Sequence, residues 1–144
     1  MDINFGQLKE YSSRAFYSSD NPQARVLSFI INEIEKIFDA SDIVFAYPKN
    51  LFINNKQVEL FLIDSKKQLI KAIYEDKNLT ISVYFAKDII NFYNKVNHED
   101  DSRSLIIKFA SSETIEFNSR NDTNTHHIQR FDALILEMCK FMMK

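Results

Sequence analysis

The 144-residue sequence has one glycine, no tryptophan, one cysteine and two prolines. Each scarcity excludes something. Phosphate-cradling loops and dinucleotide fingerprints put glycine where backbone approaches a ligand or takes a positive φ. Gly6 alone cannot build such a loop, so nucleotide chemistry through those motifs is not expected. The lone Cys139 rules out an internal disulfide framework and a cysteine-rich zinc site. It lies in a helical apolar pattern, where a thiol is ordinarily buried and structural. No run approaches the roughly 18 apolar residues of a membrane-spanning helix. The opening MDINFGQLKEYSSR lacks the basic start and apolar run of a secretory signal. A cytoplasmic protein with no integral membrane association is therefore expected. Charge of one sign is missing too: 18 basic and 20 acidic residues leave a formal net charge of −2, and the basic ones are scattered. General electrostatic attraction to nucleic acid or anionic lipid is not expected.

What is present suits one globular domain over residues 1–144, because this length can bury a real hydrophobic core. The Asn, Lys, Ile and Phe usage suggests a bacterial source. Residues 1–40 read as a helical hairpin. Over residues 3–18, Ile3, Leu8, Tyr11, Ala15 and Phe16 give an imperfect helical spacing, weakened at its start by Gly6. After a short polar turn, Asn21 followed by Pro22 marks a helix start: a capping side chain, then a residue that needs no amide partner. Leu27, Ile30, Ile31, Ile34, Ile37 and Phe38 recur every three or four residues, an apolar stripe.

Over residues 42–119 the period changes to two. DIVFAYP sets Ile43, Phe45 and Tyr47 on one face. VELFLID alternates Val58, Leu60 and Leu62 against Glu59, Phe61 and Ile63, so both faces of that strand expect cover. QLIKAIYED follows, and then LTISVYFAK, with Leu79, Ile81, Val83 and Phe85 facing one way. DIINFYNKV fits a strand through Ile90, Phe92, Asn94 and Val96, or a short helix through Ile89, Ile90 and Tyr93. The strand is preferred because Asn91 and Asn94 do little for a helix. LIIKFASSETIEF reads as a hairpin opposing Leu105, Ile107 and Phe109 to Ile115 and Phe117. A last helix over 123–143 carries Ile128, Phe131, Leu134, Ile135, Met138, Phe141 and Met142.

The succession VELFLID, QLIKAIYED, LTISVYFAKDI, the hairpin LIIKF…ETIEF and the helix IQRFDALILEMCKFM resembles the small bacterial members of the pleckstrin-homology-like superfold. The resemblance covers residues 42–144 and rests on hydrophobic patterns rather than signature residues. It implies an α+β fold: a strongly bent antiparallel sheet or partly open barrel of about seven strands, stoppered by the C-terminal amphipathic helix. It also implies a binding scaffold rather than an enzyme. Members that bind phosphoinositides carry basic residues on the first two strands and their loop. Here that stretch offers only Lys49 and Lys56, and the next turn Lys66 and Lys67, so head-group binding is not expected.

Several clusters invite a chemical reading, and each has a plainer one. In RNDTNTHHIQRF, His126 and His127 are adjacent, so on a helix they point about 100° apart and do not share one metal ion. Asp122 precedes them in a loop, and Thr123, Asn124 or Thr125 can cap the coming helix. His98, Glu99, Asp100 and Asp101 lack the alternation and turn glycine of a calcium loop. Glu59 and Glu116 occupy strand positions where solvent-facing carboxylates belong. Tyr47, Phe52, Tyr74, Tyr84, Phe92 and Tyr93 carry too few interleaved cations for a base-stacking platform. No catalytic, cofactor-binding or metal residue is therefore assigned, and no cofactor is expected. The resulting expectation is a non-enzymatic interaction module whose partner is another protein or a second copy. A small-molecule or lipid pocket protein and an immunity- or antitoxin-like toxin inhibitor are the alternatives.

Overall fold

The computed structural model describes residues 3–15 and 21–144. Helices α1 (Phe5–Ala15) and α2 (Pro22–Ile37) lead into strands β1 (Ile43–Lys49), β2 (Glu59–Asp64), β3 (Leu69–Glu75) and β4 (Asn78–Tyr84). Strands β5 (Ile89–Val96), β6 (Arg103–Phe109) and β7 (Thr114–Asn118) follow, and helix α3 (Ile128–Met142) closes the chain. All strand pairings are antiparallel. The fold is thus α+β, but where one strongly bent sheet or a partly open barrel is expected the described strands divide into two sheets, β1-β2-β3-β4 and β5-β6-β7, which close no barrel. The break falls between β4 and β5. Phe85, expected in line with Leu79, Ile81 and Val83, instead leaves the strand and is 46% exposed. The chain then turns through a single 3-10 turn at Ala86–Asp88. The Tyr84 hydroxyl donates to Glu113 at 2.6 Å, so the end of β4 is tied to the β6–β7 turn and not to β5.

The four-stranded sheet is the middle layer. Side chains alternate across a strand, and β2 uses both faces: Leu60 and Leu62 pack toward the helical hairpin, Phe61 and Ile63 toward the second sheet. On the hairpin side, Leu8, Leu27, Ile30, Ile31 and Ile34 bury against Ala46, Leu60, Leu62, Ile70 and Ala72. The two alanines leave room for the helices to approach. The N-terminal pair is therefore part of the packed structure, lying on a sheet face. Its second helix starts where the sequence expects: Asn21 Oδ1 accepts from the Ala24 amide at 3.1 Å, with Pro22 next. Two details differ. The first helix begins at Phe5 rather than Ile3, and residues 16–18, Phe16 among them, lie outside the described residues. The apolar stripe of α2 also stops short, because Ile37 in the last turn is 62% exposed.

On the opposite face, Tyr47, Phe61, Ile63 and Leu69 meet Leu105, Ile107, Phe109, Ile115 and Phe117 of the small sheet. Helix α3 completes this second core with Phe131, Leu134, Ile135, Met138 and Met142. A register irregularity between Ile43 and Phe45 divides the expected face of β1: Phe45 and Tyr47 join the second core, and Ile43 packs on the hairpin side. Residues 89–96 form a strand, as the asparagines suggest. The β6–β7 hairpin has the expected register, pairing Leu105 with Phe117 and Ile107 with Ile115.

Scarcity of glycine does not prevent tight turns. Asp76 and Lys77 take left-handed φ of 51° and 65° between β3 and β4, the geometry a two-residue hairpin turn requires. Asn50, Phe52 and Asn55 do the same between β1 and β2, with φ of 72°, 71° and 66°. A left-handed non-glycine residue costs about 1–2 kcal/mol, so that loop needs outside support.

Candidate functional site

Support for the β1–β2 loop comes from Gln23, one residue past the proline that opens α2. Its Nε2 lies 2.8, 3.2 and 2.9 Å from the carbonyl oxygens of Asn50, Ile53 and Lys56. Its Oε1 accepts from the amide of the left-handed Phe52 at 3.0 Å. One side chain thus anchors the loop at four points. From the other side, the segment before α3 grips the same loop: Asn50 N–H donates to Asp122 O at 2.7 Å, Thr123 Oγ1 to Leu51 O at 3.1 Å, and Asn124 Nδ2 to Phe52 O at 3.3 Å. The Phe52 ring stacks on His127, centroids 4.1 Å apart and planes 19° off parallel.

These contacts correct the expected role of residues 123–125. Helix α3 begins at Ile128, and His127, in the capping position, makes no side-chain capping bond. Thr123 and Asn124 reach across to the β1–β2 loop, although Asn124 Oδ1 also accepts from His126 N–H at 3.0 Å. His126 is exposed, and His127 is half-buried against Phe52. Burial first, then the nearby charge of Arg130, holds the His127 pKa below its ordinary value. The two rings share no metal geometry, and no group of three or more His, Cys, Asp or Glu among the described residues is placed to hold an ion.

Asp122 is the residue whose place the sequence does not reveal. It is 3% exposed, and Oδ2 accepts from the Tyr47 hydroxyl at 2.5 Å and from the Asn118 amide at 2.7 Å. Lys49 Nζ stands 3.9 Å from Oδ1 and also donates to Glu116 O at 3.2 Å. Burial raises the carboxyl pKa and outweighs the lowering by these hydrogen bonds and by Lys49. The Tyr47 phenol is pushed far up, by burial first and the facing carboxylate second. The pair is enclosed and its bonds point inward: it pins β1 to the end of β7 and presents no reactive atom. Among the described residues no buried side-chain nitrogen or oxygen lacks a partner.

The remaining expected positions disperse. His98, Glu99, Asp100 and Asp101 are an exposed turn closed on itself: Asn97 Oδ1 accepts from the Glu99 amide, and Asp100 Oδ1 from Ser102 N–H at 2.9 Å. That last bond is the main reason the Asp100 pKa is lowered. Glu59 and Glu116 sit on different sheets. Lys67 donates to the carbonyl of Lys144 at 2.8 Å, while Lys56 and Lys66 extend into solvent. The aromatic residues make no common face: Tyr47 is core, Tyr74 leans on Phe29, Tyr84 covers Phe109, and Tyr93 faces out beside Lys108. Cys139 is a buried free thiol, its pKa raised by burial, with Sγ 3.9 Å from Asn94 Oδ1.

The most open feature is β5. Its eight residues pair on one side with β6, and its other edge has no strand partner among the described residues. Along it Ile90 is 68% exposed, Val96 52% and Tyr93 37%. Ile90 sits at an irregularity of the pairing between Ile89 and Asn91.

A family model described as a protein of unknown function, DUF3908, matches residues 4–133, from the first helix into α3. The chain belongs to this family. The matched span takes in both sheets, the β5 edge and the Gln23-anchored loop, so these are features of a family member and not of an appended segment. No curated protein and no solved structure matches the chain. No helix among the described residues is long and apolar enough to cross a membrane.

Proposed function

We propose that this DUF3908 chain is a non-enzymatic, intracellular protein-binding module of pleckstrin-homology-like architecture, which accepts an extended segment of its partner along the outer edge of β5. The observation that carries this reading is the edge itself. Sheet edges are ordinarily blunted by charge, proline or a covering element. β5 is eight residues long, bears one pairing irregularity at Ile90, points the backbone groups of about every second residue outward with no strand partner among the described residues, and carries three exposed apolar side chains and a single lysine, Lys95. Strand addition supplies main-chain hydrogen bonds for affinity and alternate side chains for choice of partner. The architectural part of the reading is supported by the order of four strands, three strands and an apolar-striped helix. The pocket-protein alternative is less favoured, because the space between the layers is filled by buried side chains. A toxin inhibitor is one form such a module takes.

The test places a photo-crosslinking amino acid at Tyr93 in the cell that makes the protein. The expected result is a discrete protein adduct that disappears when Ile90→Lys and Val96→Lys are added, with none formed from Glu75. An adduct indifferent to the two lysines, or no adduct, overturns the proposal.

A further inference from the structure

We infer a second binding site, independent of β5: the cleft around the β1–β2 loop takes an acidic peptide segment. Two grooves, of about 410 and 670 Å³, flank this loop and share Ile53 and Asn54 as lining residues. No residue lining either groove is an aspartate or glutamate, in a chain where acidic residues outnumber basic ones. Lys56 lies in one groove, and Arg120 and His126 in the other. Asp122, next along from the lining residue Asn121, is turned inward to Tyr47. The acid-free surface ends at Arg120, whose Nε already donates to Asp100 O at 2.9 Å and stands 4.0 Å from Asp100 Oδ2, so Lys56 is the cation of the cleft with no acidic neighbour among the described residues. Beyond Arg120 a neighbouring groove carries Asp100, Asp101 and Asp132.

The same cleft is rich in side-chain amides. Asn54, Asn55, Gln57 and Asn121 line it and make no side-chain hydrogen bond within the described chain. An amide offers one acceptor and two donors, which matches a peptide group, whereas a phosphate needs donors only. The two permanent cations lie in separate grooves and do not converge as a phosphate pocket requires. Spread cations between donor–acceptor amides suit an extended chain bearing aspartate or glutamate. The platform is held in place beforehand by Gln23 and by residues 122–124, so little ordering is lost on binding.

The experiment pans a displayed library of random short peptides on the full chain and measures the enriched peptides by fluorescence anisotropy. Enriched sequences are expected to carry an excess of Asp and Glu. Their binding is expected to weaken about tenfold or more in Lys56→Glu and in Arg120→Glu, less in Asn121→Ala, and not at all in Ile90→Lys. Thermal midpoints of the variants separate lost binding from lost folding, and Asn121→Ala removes no intramolecular bond. No enrichment, enrichment without acidic bias, or affinity unchanged by Lys56→Glu overturns the inference. So does full competition by inorganic phosphate, which would mark a simple anion site. Binding lost in Ile90→Lys and kept in Lys56→Glu also overturns it, while leaving the β5 reading in place.

Discussion

The two faces of the four-stranded sheet are covered in different ways. On one face the cover is local: α1 and α2 immediately precede β1, and they bring an almost wholly aliphatic surface down onto Ala46, Leu60, Leu62 and Ala72. On the other it is remote: β6, β7 and α3 return from late in the chain with Phe109, Phe117, Phe131, Met138 and Met142. On the aliphatic face the cost of a deleted methylene depends on how far the neighbouring side chains can relax into the space it leaves. Rings lock the remote face: Tyr47 meets Phe117 at 4.6 Å and Phe131 at 5.2 Å, and Phe61 meets Phe117 at 5.1 Å edge-on. Interlocked rings define a shape that no other side chain fills. The remote face therefore sets where β7 and α3 sit, and with them the loops and the β5 edge that the functional proposals use.

Substitutions on the two faces put this contrast to the test. The largest effect is expected from Phe131→Ala, which removes a fully buried ring shared by α3 and Tyr47. Loss of about 3–5 kcal/mol in urea unfolding is predicted. Ile30→Val, on the aliphatic face, should cost only about 0.5–1.5 kcal/mol. The matched deletion on the ring-locked face, Ile107→Val, removes one methylene from an equally buried side chain and should cost more than Ile30→Val; equal costs for these two would erase the distinction. Between these lies Tyr47→Phe, which keeps the ring and leaves Asp122 short of one donor; about 1–3 kcal/mol should be lost. A smaller effect appears only in alkali. Burial first, then Glu113, pushes the Tyr84 phenol up to about 12, while an unfolded tyrosine titrates near about 10. Its contribution is thus complete below about pH 10 and declines as pH rises toward about 12, because the unfolded chain releases the proton first. Tyr84→Phe should flatten that part of the stability profile, and an unchanged profile would refute the assignment. Smallest of all, Lys9→Ala should change stability by about 0–1 kcal/mol, since its 2.9 Å pair with Glu35 lies at the surface.

Period and punctuation in the sequence located α2, its proline start, β2 with two apolar faces, the β6–β7 register and the stripe of α3. These features are local, and local chemistry decides them. The division into two sheets is not local. The apolar alternation of LTISVYF runs through Phe85 without a signal, and whether β5 pairs with β4 depends on where α3 and the β6–β7 hairpin dock. The irregularity that turns Ile43 to the hairpin side is equally silent. At the candidate sites the pattern repeats. Asp122 reads as loop because its partner Tyr47 lies 75 residues away. Gln23 reads as first-turn helix because its bonds are made 27 to 33 residues on. The left-handed Phe52 has no glycine to announce it. Only the asparagines at positions 50 and 55, residues that tolerate such geometry, hint at the turns they make.

With the helical hairpin as permanent cover, the β5 edge and the loop cleft, and not the sheet face beneath α1 and α2, are what a partner meets. Residue-resolved urea unfolding followed by NMR tests this directly. Amides of Leu27 and Ile34 in α2, Leu60 and Leu62 in β2, and Ile107 and Phe117 in the small sheet should share one midpoint. Should α2 melt first, leaving Leu60 and Leu62 folded and uncovered, the hairpin is a removable lid and the sheet face beneath it, not the β5 edge, is the surface open to a partner.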